Sequence, residues 1–518
     1  MNTNKTCERE LINQCFCEGP IEEYRRLEER EANFGKALKN RNMYSFNVEF
    51  RGSRAVTQAD LAVAREKAAA RRRRLLRNWE GQLICASMNM PGAYKQFPLA
   101  ALCFSECRRA VEMTMEASGI KLVPQDFVKH DSAGDVAYYL VDGSPAEIKR
   151  LLCEIEDTHL LGRLFNLDLY MGSEDAWKVS RSEIGADNRL CLLCENDAVS
   201  CIHARRHSID ELVNHSLNMM WAWVSRHLTD KINTTATKAL CGELATTPKP
   251  GLVDRSNNGA HSDMDYFTFI DSISELLPYF QECALAGFNG AAAAINSSLF
   301  GSCGGHIDPP ALLKSVRRAG DLAQVKMLRA TGGVNTHKGL IFSLGIMCAA
   351  YGWLMRSKTV FTLGELFDFC SDVAAPAMDD LSAVTVDGAR TNGEKAFAQY
   401  GFTGIRGEAS NGFMSVRKHG LPTLRLMLER GHSMNDAGVA AFIALLSHVD
   451  DTTILHRSDA KTLGDIQGAA AGFMAANPAM SDIRKWAAET DAQFIKRNIS
   501  AGGCADLLAI TFFVWYLL

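Results

Sequence analysis

The spacing of apolar positions changes along the chain, and the change divides it in two. From Thr57 to Trp79 the spacing is helical, with Ala59, Ala62, Val63, Leu75, Leu76 and Trp79 able to share one side. Leu83–Ala86 is a short apolar run that stops at the turn sequence Asn89-Met90-Pro91-Gly92. Ala137–Val141 and Leu164–Tyr170 read as strands, the second with alternating character, and Ala146–Thr158 between them as a helix. This first part is mixed α/β. Beyond about residue 212 the pattern becomes almost wholly helical. Ile232, Ala236, Ala239, Leu240 and Leu244 keep one face until Pro248-Lys249-Pro250-Gly251 ends the helix. Phe267–Ala286, Pro309–Ala330, Lys338–Arg356, Leu363–Ala374 and Met434–Leu446 read as further helices. The junction near 212–230 lacks Gly, Pro or Ser enrichment, so helix is expected to join the two parts.

Composition agrees with that division. The 518 residues are 47% hydrophobic and 22% charged, enough for two or three cores and incompatible with global disorder. Proline is scarce, 13 residues, which fits long helices. Lys plus Arg number 56 and Asp plus Glu 60, for a net charge of −4, which argues against a bulk cationic nucleic-acid or membrane binder. No run reaches the roughly 18 apolar residues of a membrane span. The N-terminus carries Lys5, Glu8, Arg9 and Glu10 where a secretory signal needs an apolar stretch. The 16 cysteines therefore read as reduced thiols of a cytoplasmic protein. Arg71–Arg74 invite a phosphate-binding reading. Consecutive residues point all round a helix, however, and a solvated face is the expectation. The expected organisation is an unstructured extension over 1–43, a mixed α/β domain over 44–212, a helical linker over 213–229 and a larger, mostly all-α domain over 230–518.

A Walker A sequence is absent, as is any G-x-G-x-x-G opening a strand–helix unit, which sets aside a conventional P-loop or Rossmann enzyme. The notable segments are loops between the later helices. They run Lys249-Pro250-Gly251-Leu252-Val253-Asp254, Gly259 to Asp265, Thr331 to Gly339, Arg406-Gly407-Glu408-Ala409, Asp450-Asp451 and Gly502 to Leu507. Glycine lets backbone N–H groups approach oxygen atoms, while lysine and helix N-termini supply positive potential. Clustered aspartates can hold Mg²⁺ together with substrate phosphates and water. Any one of these glycines or aspartates can be a helix cap. Six such loops in one helical domain point to a polyphosphate site.

Lys249–Asp254, His261-Ser262-Asp263-Met264-Asp265, Asn335–Gly339, Arg406–Ala409 and Gly502–Ala509 together resemble the triphosphoribosyl-dephospho-CoA synthase family, in order, from about residue 230 to the end. That family joins ATP to 3′-dephospho-CoA with release of adenine, making the precursor of the citrate lyase prosthetic group. The resemblance implies attack by the ribose 2′-hydroxyl of dephospho-CoA on C1 of the ATP ribose. Such a site must hold a triphosphate, stabilise an oxocarbenium-like centre and activate a weak nucleophile. Lys249, Gly251, Gly332, Gly333, Asn335, Lys338 and Arg406 are the candidates for binding the nucleotide and its phosphates. Asp254, Asp263, Asp265, Asp450 and Asp451 are metal or base candidates, and His261 and His337 are acid/base candidates.

Residues 55–212 resemble a second enzyme of the same pathway, apo-citrate lyase phosphoribosyl-dephospho-CoA transferase. The signals are Met88–Gly92 with Lys95, His159–Asp168, Ser180-Arg181, Gly185, Arg189-x-Cys191-x2-Cys194 and Cys201-x3-Arg205-Arg206-His207. The resemblance implies a nucleotidyltransferase-like domain. In it a serine of the citrate lyase acyl carrier (gamma) subunit attacks the phosphate next to ribose, and diphosphate leaves. Metal and positioning dominate such chemistry. Asp168 is the first catalytic metal candidate, with Asn166 second. Lys95, Arg163 and Arg181 are candidates for the triphosphate. Asn166 stands where the family pattern leads one to expect Asp, and Ala93 where it leads one to expect Pro. Asn-x-Asp leaves one charged ligand instead of two.

The segment Cys191-x2-Cys194-x6-Cys201-x-His203-x3-His207 has ligand types and a first spacing that suit tetrahedral zinc. The loop from Cys194 to Cys201 is short for a zinc finger, and no second C-x2-C follows. The favoured reading is reduced cysteines beside Arg205, Arg206 and His207 near an anionic substrate, with zinc at Cys191/Cys194/Cys201/His207 the competing one. The expected cofactor is Mg²⁺, the substrates ATP and 3′-dephospho-CoA, and the partner the carrier subunit, with no nucleic acid and no membrane. Two alternatives remain at this level. One is the same chemistry serving malonate decarboxylase. The other is a non-enzymatic zinc- or nucleic-acid-binding protein using Arg71–Arg74 and the Cys/His segment.

Overall fold

The computed structural model describes residues 53–125, 133–172, 176–297, 309–358, 361–385 and 387–518. The extension expected over 1–43 lies outside the described residues. The described chain falls into two compact units that divide between Arg226 and His227.

The first unit contains α1 (Gln58–Leu76), β1 (Gln82–Met88), α2 (Pro98–Ala117), β2 (Leu122–Pro124), β3 (Val136–Val141), α3 (Pro145–Thr158), β4 (Phe165–Met171), β5 (Trp177–Lys178) and α4 (Ala198–His203), and the division falls inside α5 (Ile209–Ala245). The strands form one antiparallel sheet in the order β2-β3-β1-β4-β5. Alternation along each strand sorts its faces. Leu83, Cys85, Tyr138 and Leu140 cluster with Leu76 of α1 on one face. Ile84, Ala86, Leu167 and Leu169 are buried on the other, against which α2 and α3 pack. The register sets Cys85 opposite Asp168 and Ser87 opposite Asn166, so both candidate ligands lie on the α1 face.

β5 is too short to cover the whole edge of β4. The backbone N–H of Leu167 donates instead to Glu156 Oε1 at 2.9 Å, and Lys149 Nζ donates to the Leu167 carbonyl at 3.1 Å. Two buried charges of α3 thus complete the ladder that no strand completes. The arginine run corrects the solvated-face expectation in part. Arg71 lies over the Tyr138 ring at 5.6 Å and Arg72 over Tyr170 at 4.4 Å, while Arg73 and Arg74 are exposed. α1 lies on the sheet, so two of four consecutive residues turn towards it.

The second unit is helical. After α5 come α6 (Tyr266–Ser297), α7 (Pro309–Ala330), α8 (Lys338–Ser357), α9 (Leu363–Ala374), α10 (Pro376–Ser382), α11 (Asn392–Tyr400), α12 (Gly404–Ser410), α13 (Leu421–Glu429), α14 (Met434–Leu446), α15 (Thr452–Arg457), α16 (Ala460–Ala475), α17 (Met480–Arg497) and α18 (Gly502–Leu517). α8, α14 and α18 are apolar nearly all round and form the core. By length and composition α8 could cross a membrane, but 78% of its apolar window is buried inside the unit. α6 and α8 approach backbone to backbone. A Cβ on Gly287 would lie 1.9 Å from the Ala349 carbonyl oxygen, and one on Gly352 would lie 1.9 Å from that of Ala284. Glycine at these two positions is what allows so close a crossing.

Candidate functional site

A cleft of about 790 Å³ opens in the helical unit. The first turns of α8, α11 and α18 reach it with Lys338 and Gly339, Asn392–Glu394, and Gly503 and Asp506. Helix N-termini bring unpaired N–H groups and positive potential, which suits an anionic ligand. Of the residues singled out in the sequence, Asn335, Lys338, Arg406 and Asp450 line this cleft. Lys338 is exposed, and Asn335 Oδ1 accepts its backbone N–H at 3.2 Å. Arg406 pairs with Glu394 at 3.1 Å.

Among the cleft carboxylates that were not sequence candidates, Glu408 and Asp506 stand out by their raised pKa values. Asp506 is half-buried in the cleft wall, and burial, reinforced by nearby Glu243 and Asp451, pushes its pKa well above the usual carboxylate range. Burial also raises Glu408, against the opposing hydrogen bonds from Ser415 Oγ at 2.6 Å and its backbone N–H at 3.2 Å. Both lie within motifs already noted, Arg406–Ala409 and Gly502–Leu507. In the sequence each stands alone, without the pairing that marks Asp263 and Asp265 or Asp450 and Asp451.

Behind the cleft wall the structure engages several candidates in holding the fold. Asp451 caps α15, accepting from the N–H groups of Thr453 (2.8 Å), Ile454 (3.2 Å) and Cys504 (2.9 Å). Burial raises its pKa against those three donors. Lys249 is buried, and its ammonium bonds the Glu243 carboxylate and, at 2.9 Å, the Glu243 carbonyl. His337 Nδ1 lies 2.7 Å from Ser272 Oγ, and its buried Nε2 has no hydrogen-bond partner among the described residues. Burial and then the Lys249 charge push its pKa down to about 3, so the ring is neutral at pH 7.

The loop after Lys249 is self-supporting. Asp254 accepts from the N–H groups of Lys249 (3.0 Å), Ser256 (2.7 Å) and Asn257 (3.2 Å), and Asp491 accepts from Gly251 at 2.8 Å. His261 lies between Ser500 Oγ at 2.9 Å and Arg457 at 3.2 Å, and burial followed by Arg457 lowers its pKa. Asp263 is exposed 3.6 Å from His261, and Asp265 accepts from the Thr268 N–H at 2.9 Å as α6 begins. Gly332 and Gly333, at φ +65° and +95°, turn the chain ahead of α8. None of Lys249, Gly251, Asp254, His261, Asp263, Asp265, Gly332, Gly333, His337 or Asp451 lines the cleft.

In the first unit Asp168 forms an ion pair with Lys178 at 2.6 Å, and its Oδ2 accepts from Asn166 Nδ2 (3.3 Å) and the Tyr170 hydroxyl (3.4 Å). Arg72, stacked on Tyr170, faces the same side of the sheet. Sequence reading did not select Lys178, Arg72 or Tyr170. The other transferase candidates are dispersed. Arg181 is clamped by Glu156 at 2.8 Å and Asp157 at 2.9 Å, and Arg163 donates to the Cys191 carbonyl at 3.2 Å. Lys95 bonds the Met90 carbonyl and lines a separate cleft of about 510 Å³. That cleft includes none of Asp168, Arg163 or Arg181. Asn166 and Asp168 offer one charged and one neutral oxygen donor on one face, a set that fits Mg²⁺ once substrate phosphates complete it.

A small α/β unit bearing an Asp and basic side chains, followed by an all-α unit with a cleft at helix N-termini, defines a two-part transferase of phosphorylated substrates. Comparison with known proteins gives the particular kind. Residues 229–518 match the CitG family, ATP:dephospho-CoA triphosphoribosyl transferase, and residues 56–222 match the CitX family, apo-citrate lyase phosphoribosyl-dephospho-CoA transferase. The chain is 30% identical over 480 residues to the protein CitXG of Haemophilus influenzae, covering 90% of this chain and 97% of that one. It is 31% identical over 438 residues to the CitXG of Leuconostoc mesenteroides subsp. cremoris, covering 82% and 90%. A 2-(5''-triphosphoribosyl)-3'-dephosphocoenzyme-A synthase of Pectobacterium atrosepticum is 37% identical over 280 residues, 54% of this chain and 86% of that protein. The chain belongs to the CitX and CitG families, fused in that order. It is a bifunctional enzyme of citrate lyase prosthetic-group assembly.

Proposed function

We propose that the helical unit performs adenine-releasing glycosyl transfer in the 790 Å³ cleft, with Glu408 and Asp506 as its acid/base pair. The observation that carries this reading is two raised-pKa carboxylates in the wall of a cleft that also presents Lys338 and three helix N-termini. A carboxyl group poised above its usual range can take the proton of the attacking 2′-hydroxyl or supply one to departing adenine. Lys338, Asn335 and Arg406 hold the triphosphate end. Asp450, exposed beside Glu408, would hold Mg²⁺ with the phosphates, and the ion would screen their charge. The loop from Lys249 to Asp265 shapes the wall from behind, through its own hydrogen bonds.

The α/β unit, nucleotidyltransferase-like and taken as 44–212, then moves the phosphoribosyl-dephospho-CoA group to a serine of the citrate lyase acyl carrier, releasing diphosphate. Asp168 and Asn166 would hold Mg²⁺, which in such transfers neutralises the leaving phosphates. Arg72 and Lys178, on the same face, bind the triphosphate. Residues 213–229 are the linker and 230–518 the synthase domain, in a cytoplasmic protein.

The test incubates the purified chain with ATP, 3′-dephospho-CoA and Mg²⁺ and follows adenine by chromatography. Apo carrier is then added and its mass measured. Asp506→Asn and Glu408→Gln are expected to stop adenine release while leaving carrier modification from supplied intermediate intact. Full adenine release by both variants would overturn the assignment. Modification of a malonate decarboxylase carrier and not of the citrate lyase carrier would change the client.

A further inference from the structure

The segment from Arg189 to His207 lacks what normally holds a folded segment together. Three of its apolar side chains are exposed, Leu190 at 43%, Val199 at 57% and Ile202 at 71%, and Leu192 and Leu193 are only half-buried. Its buried side chains include Cys191 and Cys201. So short a stretch has no apolar core of its own, and small folded pieces in that position are commonly held by a metal or by disulfides.

The chain is nevertheless shaped with care around those cysteines. A bridge pairs Leu190 with Asp197, closed by hydrogen bonds from Cys191 N–H to the Asn196 carbonyl (2.7 Å) and from Ala198 N–H to the Arg189 carbonyl (2.9 Å). Cys191 and Cys194 sit on this knuckle. Asp197 then caps α4, which carries Cys201. Arg205, at φ 45°, turns the chain back, and Arg206 N–H bonds the Cys201 carbonyl at 3.1 Å, bringing His207 round to the cysteines.

One ligand atom each from Cys191, Cys194, Cys201 and His207 lies within 4.8 Å of the others. Cys194 Sγ is 3.5 Å from Cys201 Sγ and 3.3 Å from His207 Nε2. Around zinc with bonds of about 2.3 Å to sulfur, the tetrahedral edge is about 3.8 Å, close to these separations. A disulfide sulfur pair would stand at about 2.05 Å. Asn196 Nδ2 donates to Cys194 Sγ at 3.3 Å, the outer hydrogen bond that metal-bound thiolates commonly receive. Among the described residues no other group of three or more His, Cys, Asp or Glu gathers in this way.

We propose that Cys191, Cys194, Cys201 and His207 form a closed, four-ligand structural zinc site. The set has three thiolates and an imidazole, and no open position for chemistry. Binding releases the thiol protons and supplies the ordering free energy that the segment's exposed apolar residues do not. The site also reaches the transferase strand. Arg163, at the turn into β4, donates to the Cys191 carbonyl at 3.2 Å, and Arg189 Nη2 donates back to the Arg163 carbonyl at 2.8 Å and to that of Phe165. β4 carries Asn166 and Asp168. Zinc therefore acts on carrier modification as a positioning element.

The test uses the full chain, purified without chelator from zinc-supplemented medium, and measures metal by mass spectrometry. The expected content is about one zinc per chain, with four-coordinate Co²⁺ after exchange giving tetrahedral d–d bands and sulfur-to-cobalt charge transfer. Cys194→Ser and Cys201→Ser are expected to lower zinc at least fivefold, and Cys241→Ser, on an exposed cysteine outside the set, to leave it unchanged. Adenine release by the same variant chains reports that the helical unit is folded. Zinc below a tenth of stoichiometric in the wild type with no tetrahedral cobalt spectrum, iron in its place, or a native Cys194–Cys201 disulfide would each overturn the proposal.

Discussion

Gly339→Ala offers a direct test of where adenine release occurs. Gly339 is the second residue of α8. A Cβ built there would lie 2.0 Å from Asp506 Oδ2 and 3.2 Å from its Cγ. Ordinary contact begins at 3.4 Å, so the carboxylate or the helix turn must retreat by about 1.4 Å, the difference of those two distances. Asp506 is half-buried in the cleft wall with the like charges of Glu243 and Asp451 as its neighbours, so any retreat carries its carboxyl group away from the position it holds in the wall. A displacement of about 1 Å at a reacting group can cost on the order of 100-fold in rate, or about 2.7 kcal/mol of barrier. Overpacking of this kind also costs about 1–3 kcal/mol of stability. The assay is adenine formation at saturating ATP and dephospho-CoA, with urea unfolding of the same variant. Gly468→Ala on α16, where a Cβ meets nothing within 4 Å, is the control. It should keep full activity and gain about 0.5–1 kcal/mol. A Gly339→Ala enzyme with kcat within about twofold of wild type would show that Asp506 stands away from the reacting atoms.

Lys249→Met should destabilise the chain by about 3–5 kcal/mol, because Glu243 is left buried without its partner. Lost adenine release at an unchanged urea midpoint would instead place Lys249 on the substrate. Asp168→Asn should abolish carrier modification and spare adenine release. Asn166→Asp should lower the Mg²⁺ concentration at half-maximal carrier modification, and an unchanged Mg²⁺ dependence in both would remove these residues from the metal site. Glu106 supplies a pH test. Burial alone would raise it, but Arg109, bonded at 2.7 Å, and His159, at 3.1 Å, bring it down to about 2 from 4.5. A depressed carboxylate stabilises the fold fully above its unfolded pKa, and that contribution disappears as pH falls from 4.5 towards 2. The expected loss is on the order of 3 kcal/mol, and Glu106→Gln should flatten that part of the urea-midpoint profile. Parallel profiles for the two proteins would refute it.

Helix positions were legible wherever one apolar face persisted. Pro309–Ala330, Leu363–Ala374 and Met434–Leu446 read from spacing have the observed bounds, and the strands near 83–86, 137–141 and 164–170 are in place within a few residues. α2 escaped notice although it is 20 residues long. Its cysteines, its arginines and the buried Glu106–Arg109 pair blur the apolar stripe, and only packing against His159 shows why charges stand inside. Arg71–Arg74 illustrate the same limit from the other side. Their exposure depends on which face of α1 lies on the sheet, and that is a tertiary fact. The proposed zinc ligands were legible as residue types and as a first spacing. Sequence could not show that Arg205 turns the chain back and brings His207 to the cysteines.

The two lysines of the synthase motifs show how far a motif can carry an assignment of role. Lys249 and Lys338 sit in segments equally rich in glycine and proline or polar residues, and both read as phosphate ligands. Phosphate binding needs a cation that water and substrate can reach. Lys338 begins α8, is exposed and lines the cleft, so its charge adds to the potential of the helix terminus. Lys249 is buried against Glu243, in a place where an unpaired ammonium would not survive. Its charge still matters at a distance, since it helps keep His337 neutral and partly offsets the burial that raises Glu243. Glu243 in turn raises Asp506 in the cleft wall. Lys249, buried away from the cleft, is therefore coupled through Glu243 to Asp506 of the proposed site, and substituting it is expected to change the pH profile of adenine release as well as the stability of the fold.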